Sequence, residues 1–158
     1  MAKLIRNPGP MAERLRVATA ELQRKQAKVG WFESAKYEDG TPVAYVAAIN
    51  ELGPNARPFM RPTIQERTQV WKAVGKQGAK RVINGEAGAG QMFEMLGLQA
   101  SGDIAKTISS ITTPPLSPRT IAARQAKMAN GKTIGNLDKP LVETGLMINS
   151  LTYIVEDS

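Results

Sequence analysis

A chain of 158 residues and 17.1 kDa suffices for one hydrophobic core and not for two ordinary ones, so a single domain over residues 1–158 is expected. It contains neither cysteine nor histidine, which removes disulfides, thiolate and imidazole chemistry, serine or cysteine triads and the usual zinc sites. Twenty-one Lys and Arg against 14 Asp and Glu give a net charge of +7, which favours contact with a polyanion or an acidic protein.

Only 5% of residues are aromatic although 42% are hydrophobic, so the core must be built mainly from Ala, Val, Ile, Leu and Met. A core this thin is expected to lean on neighbouring subunits. No run of 18 apolar residues exists, and no apolar stretch follows Lys3 and Arg6, so neither a membrane span nor a secretion signal is expected. Neither catalysis nor a cofactor is expected.

In chain order, Pro10 to Lys28 reads as an amphipathic helix with Met11, Leu15, Ala18 and Leu22 on one stripe. Residues 1–30 hold seven Lys or Arg against Glu13 and Glu21. Arg14, Arg16 and Lys25 are therefore candidate DNA-facing residues, chosen by charge. Val29 to Ser34 predicts a strand and Tyr37 to Gly40 a turn. Thr41 and Pro42 supply an N-cap and N1 pair for a helix ending at Gly53, although alternation through Val43, Tyr45, Ala47 and Ile49 also fits a strand.

The next stretch is an elbow, GPNARPFMRPTIQE, Gly53 to Glu66. Pro58 and Pro62 fix φ and hold the link extended, while Thr63 and Glu66 have capping-box spacing and predict a helix from Thr63 to about Ile83. Phe59 and Met60 must bury, either in the chain's own core or against a neighbour, and Arg57 and Arg61 flank them. Asn84 to Gly90 reads as a flexible joint. Gln91 to Ser110 predicts a helix whose apolar residues Met92, Leu96, Ala100, Ile104 and Ile108 recur every four positions. Such a stripe drifts around the helix, so it is expected to meet more than one neighbour. Gly75, Gly78, Gly97 and Gly102 weaken these two helices.

Residues 109–117 read as an extended loop, kept out of helix by adjacent prolines. Ser117 and Pro118 then cap and open a helix that Gly131 ends. Residues 101–139 form a second basic zone. The chain closes with a short helix from near Thr144 and a strand, LTYIVE, in which Leu151, Tyr153 and Val155 share a face. Two nucleotide-loop patterns fail. GKT at Gly131 has Ala126 where a phosphate loop needs glycine, and GAGQMF at Gly88 has Phe93 in place of the third glycine.

AYVAAINELGPNARPFMRPT, Ala44 to Thr63, resembles the segment of tailed-bacteriophage neck and tail-completion proteins in which a helix ends in Glu, an apolar residue and Gly, and an ARPF-x-RP elbow leads into a long helix. KPLVETGLMINSLTYIVED, Lys139 to Asp157, resembles their usual ending, and PPLSPRTIAARQAK is similar to the part before it. Leu146-Met147 departs from the many relatives that carry a basic residue there. The resemblance implies an α+β fold, a small mainly antiparallel sheet packed with several helices, in a subunit that closes into a ring, commonly hexameric. It also implies a virion structural protein at the head–tail junction, assembled in the bacterial host cytoplasm. Its partners would be its own copies, the connector or neck proteins, and the tail tube or sheath, with non-specific contact to genomic DNA and no membrane. Arg57, Phe59, Met60, Arg61, Leu146 and Met147 become the candidate subunit-interface residues. The competing reading is a small basic, non-sequence-specific DNA-binding protein. A hydrolase on a lysozyme-like plan would need a pair of acids converging in a cleft.

Overall fold

The computed structural model describes residues 9–32 and 34–158. Eight elements follow one another: α1 (Pro10–Gln23), β1 (Lys25–Gly30), α2 (Val43–Leu52), α3 (Met60–Asn84), α4 (Ala89–Ser110), α5 (Pro118–Ala129), α6 (Leu146–Asn149) and β2 (Thr152–Asp157). Among the described residues the sheet is one antiparallel pair, β1 with β2, so the α+β expectation holds with a sheet of the smallest size.

The sheet joins the two ends of the chain. Its register sets Lys25 opposite Asp157 and Gln26 opposite Glu156. Lys25 Nζ lies 2.7 Å from Asp157, Lys28 pairs with Glu156, and Gln26 donates to Glu156 at 3.0 Å. These cross-strand pairs correct the sequence reading that carried the first helix to Lys28. The segment Lys25–Lys28 has no helix-stop residue before it, and only the partner strand, more than a hundred residues away, gives it acids to face. The expected strand accordingly starts four residues early. Trp31 and Phe32 lie beyond it, and Glu33 is outside the described residues.

α4 is the spine. It packs on α3 along one side and on both strands along another. Met92 and Leu96 join Ala18, Val82 and Ala89 in one apolar cluster, whereas Ile104 and Ile108 enter a second with Val43, Ala47, Phe59 and Met147. The predicted drift of the spacing-four stripe is realised in this change of neighbours. α1 touches the first cluster only through buried Ala18 and half-buried Leu22, and Met11 and Leu15, on the same predicted stripe, are exposed.

Of the expected joint from Asn84 to Gly90, Asn84 ends α3, Ala89 and Gly90 open α4, and residues 85–88 form the turn between them. Gly85 takes a left-handed φ of 77°, its amide donates to Val82 at 3.0 Å and that of Glu86 to Arg81 at 2.8 Å. This pairing satisfies the last carbonyls of α3. Both long helices run through the glycines expected to weaken them, and at two of these glycines a neighbour arrives closely. A Cβ on Gly97 would stand 2.5 Å from the Tyr153 ring, and one on Gly78 would stand 2.3 Å from Met92 Cγ.

Gly97 and Gly102 thus separate propensity from packing within one helix. Gly102→Ala, with no atom within 4 Å of the new Cβ, should raise stability by up to about 1 kcal/mol. Gly97→Ala should lower it by about 1–2 kcal/mol as β2 is pushed off the helix. Urea unfolding of the two variants measures both signs.

Candidate functional site

Gly53 closes α2 with its amide donating to Ile49 O at 2.8 Å. Its φ of −72° is ordinary, but a Cβ would meet Ile49 O at 2.5 Å, so the tight exit itself demands glycine. The chain then folds back on α2: the Arg57 amide donates to Asn50 O at 2.7 Å, while the Asn50 side chain donates to Val46 O at 2.8 Å. Arg57 spans outward, Nε to Pro114 O at 2.9 Å and Nη2 to Pro115 O at 3.2 Å. The elbow is thereby tied to the loop after α4, which covers 111–117 because α4 takes the first two residues of the expected 109–117 stretch.

The first four amides of a helix have no acceptor within it. In α3 these belong to Phe59, Met60, Arg61 and Pro62, because the first helical bond runs from the Thr63 amide to Phe59 O. One carboxylate serves them. Glu51 Oε2 accepts from the Phe59 and Met60 amides at 2.7 and 2.9 Å, and Oε1 accepts from the Arg61 amide at 3.1 Å. The fourth position is proline and has no hydrogen to place. Arg61 completes the arrangement, Nε donating to Glu51 Oε1 at 3.0 Å and Nη2 to Glu51 O at 2.6 Å.

This corrects the expected capping box. Thr63 lies within the first turn of α3, buried, with its hydroxyl bonded to Phe59 O at 2.6 Å and 2.6 Å from the Thr107 hydroxyl on α4. Pro62 likewise belongs to the helix rather than to the extended link. Four-residue spacing found a helix start, but the cap comes from a residue twelve positions upstream of Thr63, and local patterning cannot register that. α2 shows a smaller shift of the same kind. It begins at Val43 with Pro42 at the N-cap position and no side-chain cap, and the Thr41 amide instead donates to Asp39 Oδ1 at 2.9 Å.

Burial raises the Glu51 pKa, but the Met60, Phe59 and Arg61 amides and the Arg61 guanidinium outweigh it, and the net direction is downward. Glu51 is 8% exposed, and its carboxylate stays ionised.

Phe59 is wholly buried, its ring 5.6 Å from that of Trp31 at an interplanar angle of 82°. Trp31 Nε1 donates to Met147 O at 2.7 Å, and Met147 is buried in the same cluster. The elbow and the closing segment, far apart in sequence, therefore meet across Trp31. Of the six candidate interface residues, Phe59 and Met147 plug the chain's own core, and their side chains offer no surface to a neighbour. Met60 and Leu146 are half-buried against that core, Arg57 is bound to the loop after α4, and Arg61 is the exposed one. Of the candidate DNA-facing residues, Arg16 is bonded to Glu13 at 2.6 Å and Lys25 to Asp157 at 2.7 Å, while Arg14 has no carboxylate partner among the described residues.

Other acids with little exposure are likewise committed to structure. Asp103 accepts from Trp71 Nε1 at 2.8 Å with Arg67 Nε at 3.6 Å, and Glu143 lies between Lys127 and Arg124. Arg124, counted in the second basic zone, is an interior residue. Its Nη1 donates to Asn136 O and Lys139 O, both at 2.8 Å, and holds the loop after α5. Sequence reasoning missed Glu51, Trp31 and Arg124. The available signal for Glu51 was its place at the end of an otherwise apolar α2 face, in line with Val43 and Ala47.

Glu51→Ala leaves three helix-end amides without an acceptor and should cost about 3 kcal/mol, while Glu51→Gln, which keeps one acceptor oxygen, should cost about 1–2 kcal/mol. Because the folded pKa lies below the unfolded one, Glu51's contribution is complete above the ordinary carboxylate range and is lost as pH falls through the folded value. The unaltered chain should therefore weaken on acidification more steeply than Glu51→Gln, as read from urea midpoints at a series of pH values. Comparison with family models, with curated proteins and with solved structures gives no match to this chain.

Proposed function

We propose that the chain is a structural component of a tailed-phage virion at the head–tail junction, of the tail-completion, terminator or neck type. It closes with its own copies into a ring around the DNA path and joins the tail to the connector. It acts by binding, without catalysis or cofactor, and reaches the virion by assembly in the host cytoplasm. Among the described residues no helix is long and apolar enough to cross a membrane.

One observation carries this reading. The two stretches on which the resemblance rests, the elbow and the closing segment, pack together through Phe59, Trp31 and Met147 in a single core. Their joint unit leaves an apolar stripe outside it: Tyr45, Ile49 and Leu52 of α2 stand at i, i+4 and i+7 and are 60%, 48% and 71% exposed. Exposed apolar patches of this kind mark contacts between proteins, and the ring contact is assigned to this stripe together with Arg61.

Two variants separate assembly from folding. Tyr45→Glu with Leu52→Glu changes only exposed side chains, so unfolding should shift by no more than about 0.5 kcal/mol while rings disappear in sedimentation. Phe59→Ala should instead lower monomer stability by about 3–5 kcal/mol. A chain that stays monomeric beside connector and tail-tube proteins, and that is absent from virions, would refute the proposal.

A further inference from the structure

We infer that the outward face of α3, formed by Gln65, Gln69, Lys72, Lys76 and Lys80, is a binding strip for the phosphate backbone of duplex nucleic acid. Helix α3 carries six cations (Arg61, Arg67, Lys72, Lys76, Lys80, Arg81) against one acid (Glu66), a balance of +5 by 6 minus 1. Its arginines are committed: Arg61 to Glu51 at 3.0 Å, Arg67 to Asp103 at 3.6 Å and Arg81 to Glu86 at 3.9 Å. The three lysines are exposed, and among the described residues none of them pairs with a carboxylate.

Their placement is regular. At about 100° per residue the five side chains fall in one sector of about 80°, opposite the buried Thr63, Gly78 and Val82. No acid from α3 lies in that sector. Successive lysines rise about 6 Å along the helix, and the three span about 12 Å, a run of three to four phosphates at about 3.4 Å of axis per strand. Lysine is a point charge on a long stem and positions a backbone without reading bases. The strip has no aromatic side chain on which unpaired bases could stack, which favours duplex over single strand. The amino-terminal cations chosen from sequence are weaker candidates, since Arg16 and Lys25 already face acids. Only the identity of the polyanion as the packaged genome rests on the head–tail reading; the binding belongs to the chain itself.

The test is affinity for a random-sequence DNA duplex across 50–200 mM salt, with the full chain. Three phosphate contacts give a logarithmic salt slope of about −2.7, a loss of about 40-fold over that range. Lys72→Gln/Lys76→Gln/Lys80→Gln should remove that slope, whereas the charge-matched Arg14→Gln/Arg16→Gln/Lys25→Gln should keep most of it. If the triple variant does not fold, Lys76→Gln alone should reduce the slope by about 0.9. Equal losses from the two triple variants, which would indicate net charge alone, overturn the inference. So does an unaltered chain that ignores duplex at 50 mM salt, or an α3 variant that loses an acidic protein partner while binding DNA as before. Sedimentation of the same samples keeps the two proposals apart. Intact rings with α3-independent DNA binding sink only this inference, and α3-dependent binding by a chain that never assembles sinks only the ring.

Discussion

The geometry around the elbow follows from the position of one ionised carboxylate. Glu51, at the end of α2, must be where three backbone amides can reach it, and those amides exist as a set only if Phe59, Met60 and Arg61 begin a helix. A buried charge without such partners would be expelled or neutralised. The direction in which α3 leaves the elbow is therefore coupled to the last turn of α2, and Arg61 locks the coupling from outside by holding both the carboxylate and the Glu51 carbonyl. Proline at the fourth position removes the one helix-end amide that the carboxylate could not serve.

The rest of the molecule attaches to this frame. With α3 aimed, Thr63 meets Thr107, and Trp71 and Arg67 meet Asp103, so polar contacts help to fix α4 against it. α4 then presents Gly97 to Tyr153, and the close approach permitted by the missing side chain seats β2, with β1 paired beside it. Between sheet and elbow Trp31 performs two tasks. Its ring faces Phe59 edge-on and its N–H holds the carbonyl of Met147. A core with few aromatics thus places one of its two tryptophans where separate segments must be joined.

The net charge is distributed with the same selectivity. Among the described residues, Arg16 is set against an acid within α1, and Lys25 and Lys28 against acids across the sheet. Arg124 is turned inward to hold carbonyls. On α3 three exposed lysines form a row, with Gln65 and Gln69 ahead of them on the same face. A basic isoelectric point alone gave no hint of this sorting, because it depends on which carboxylates come near in space.

Sequence alone determined the helices whose apolar spacing and ends are local: α5 with Ser117 at its cap, the long body of α3, and α4 with its drifting stripe. It also determined that Phe59 must bury, and that glycine must end α2. It left open, or placed wrongly, whatever depends on residues distant along the chain. Lys25–Lys28 became strand because Asp157 and Glu156 lie opposite. Thr63 lost its capping role because Glu51 already held the amides, and Phe59 was placed in an internal core by Trp31 and Met147. Helical periodicity and turn residues act over a few positions and leave a trace in the sequence. Pairing, capping across a loop and the neutralisation of charge act through space, and only the tertiary structure decides them.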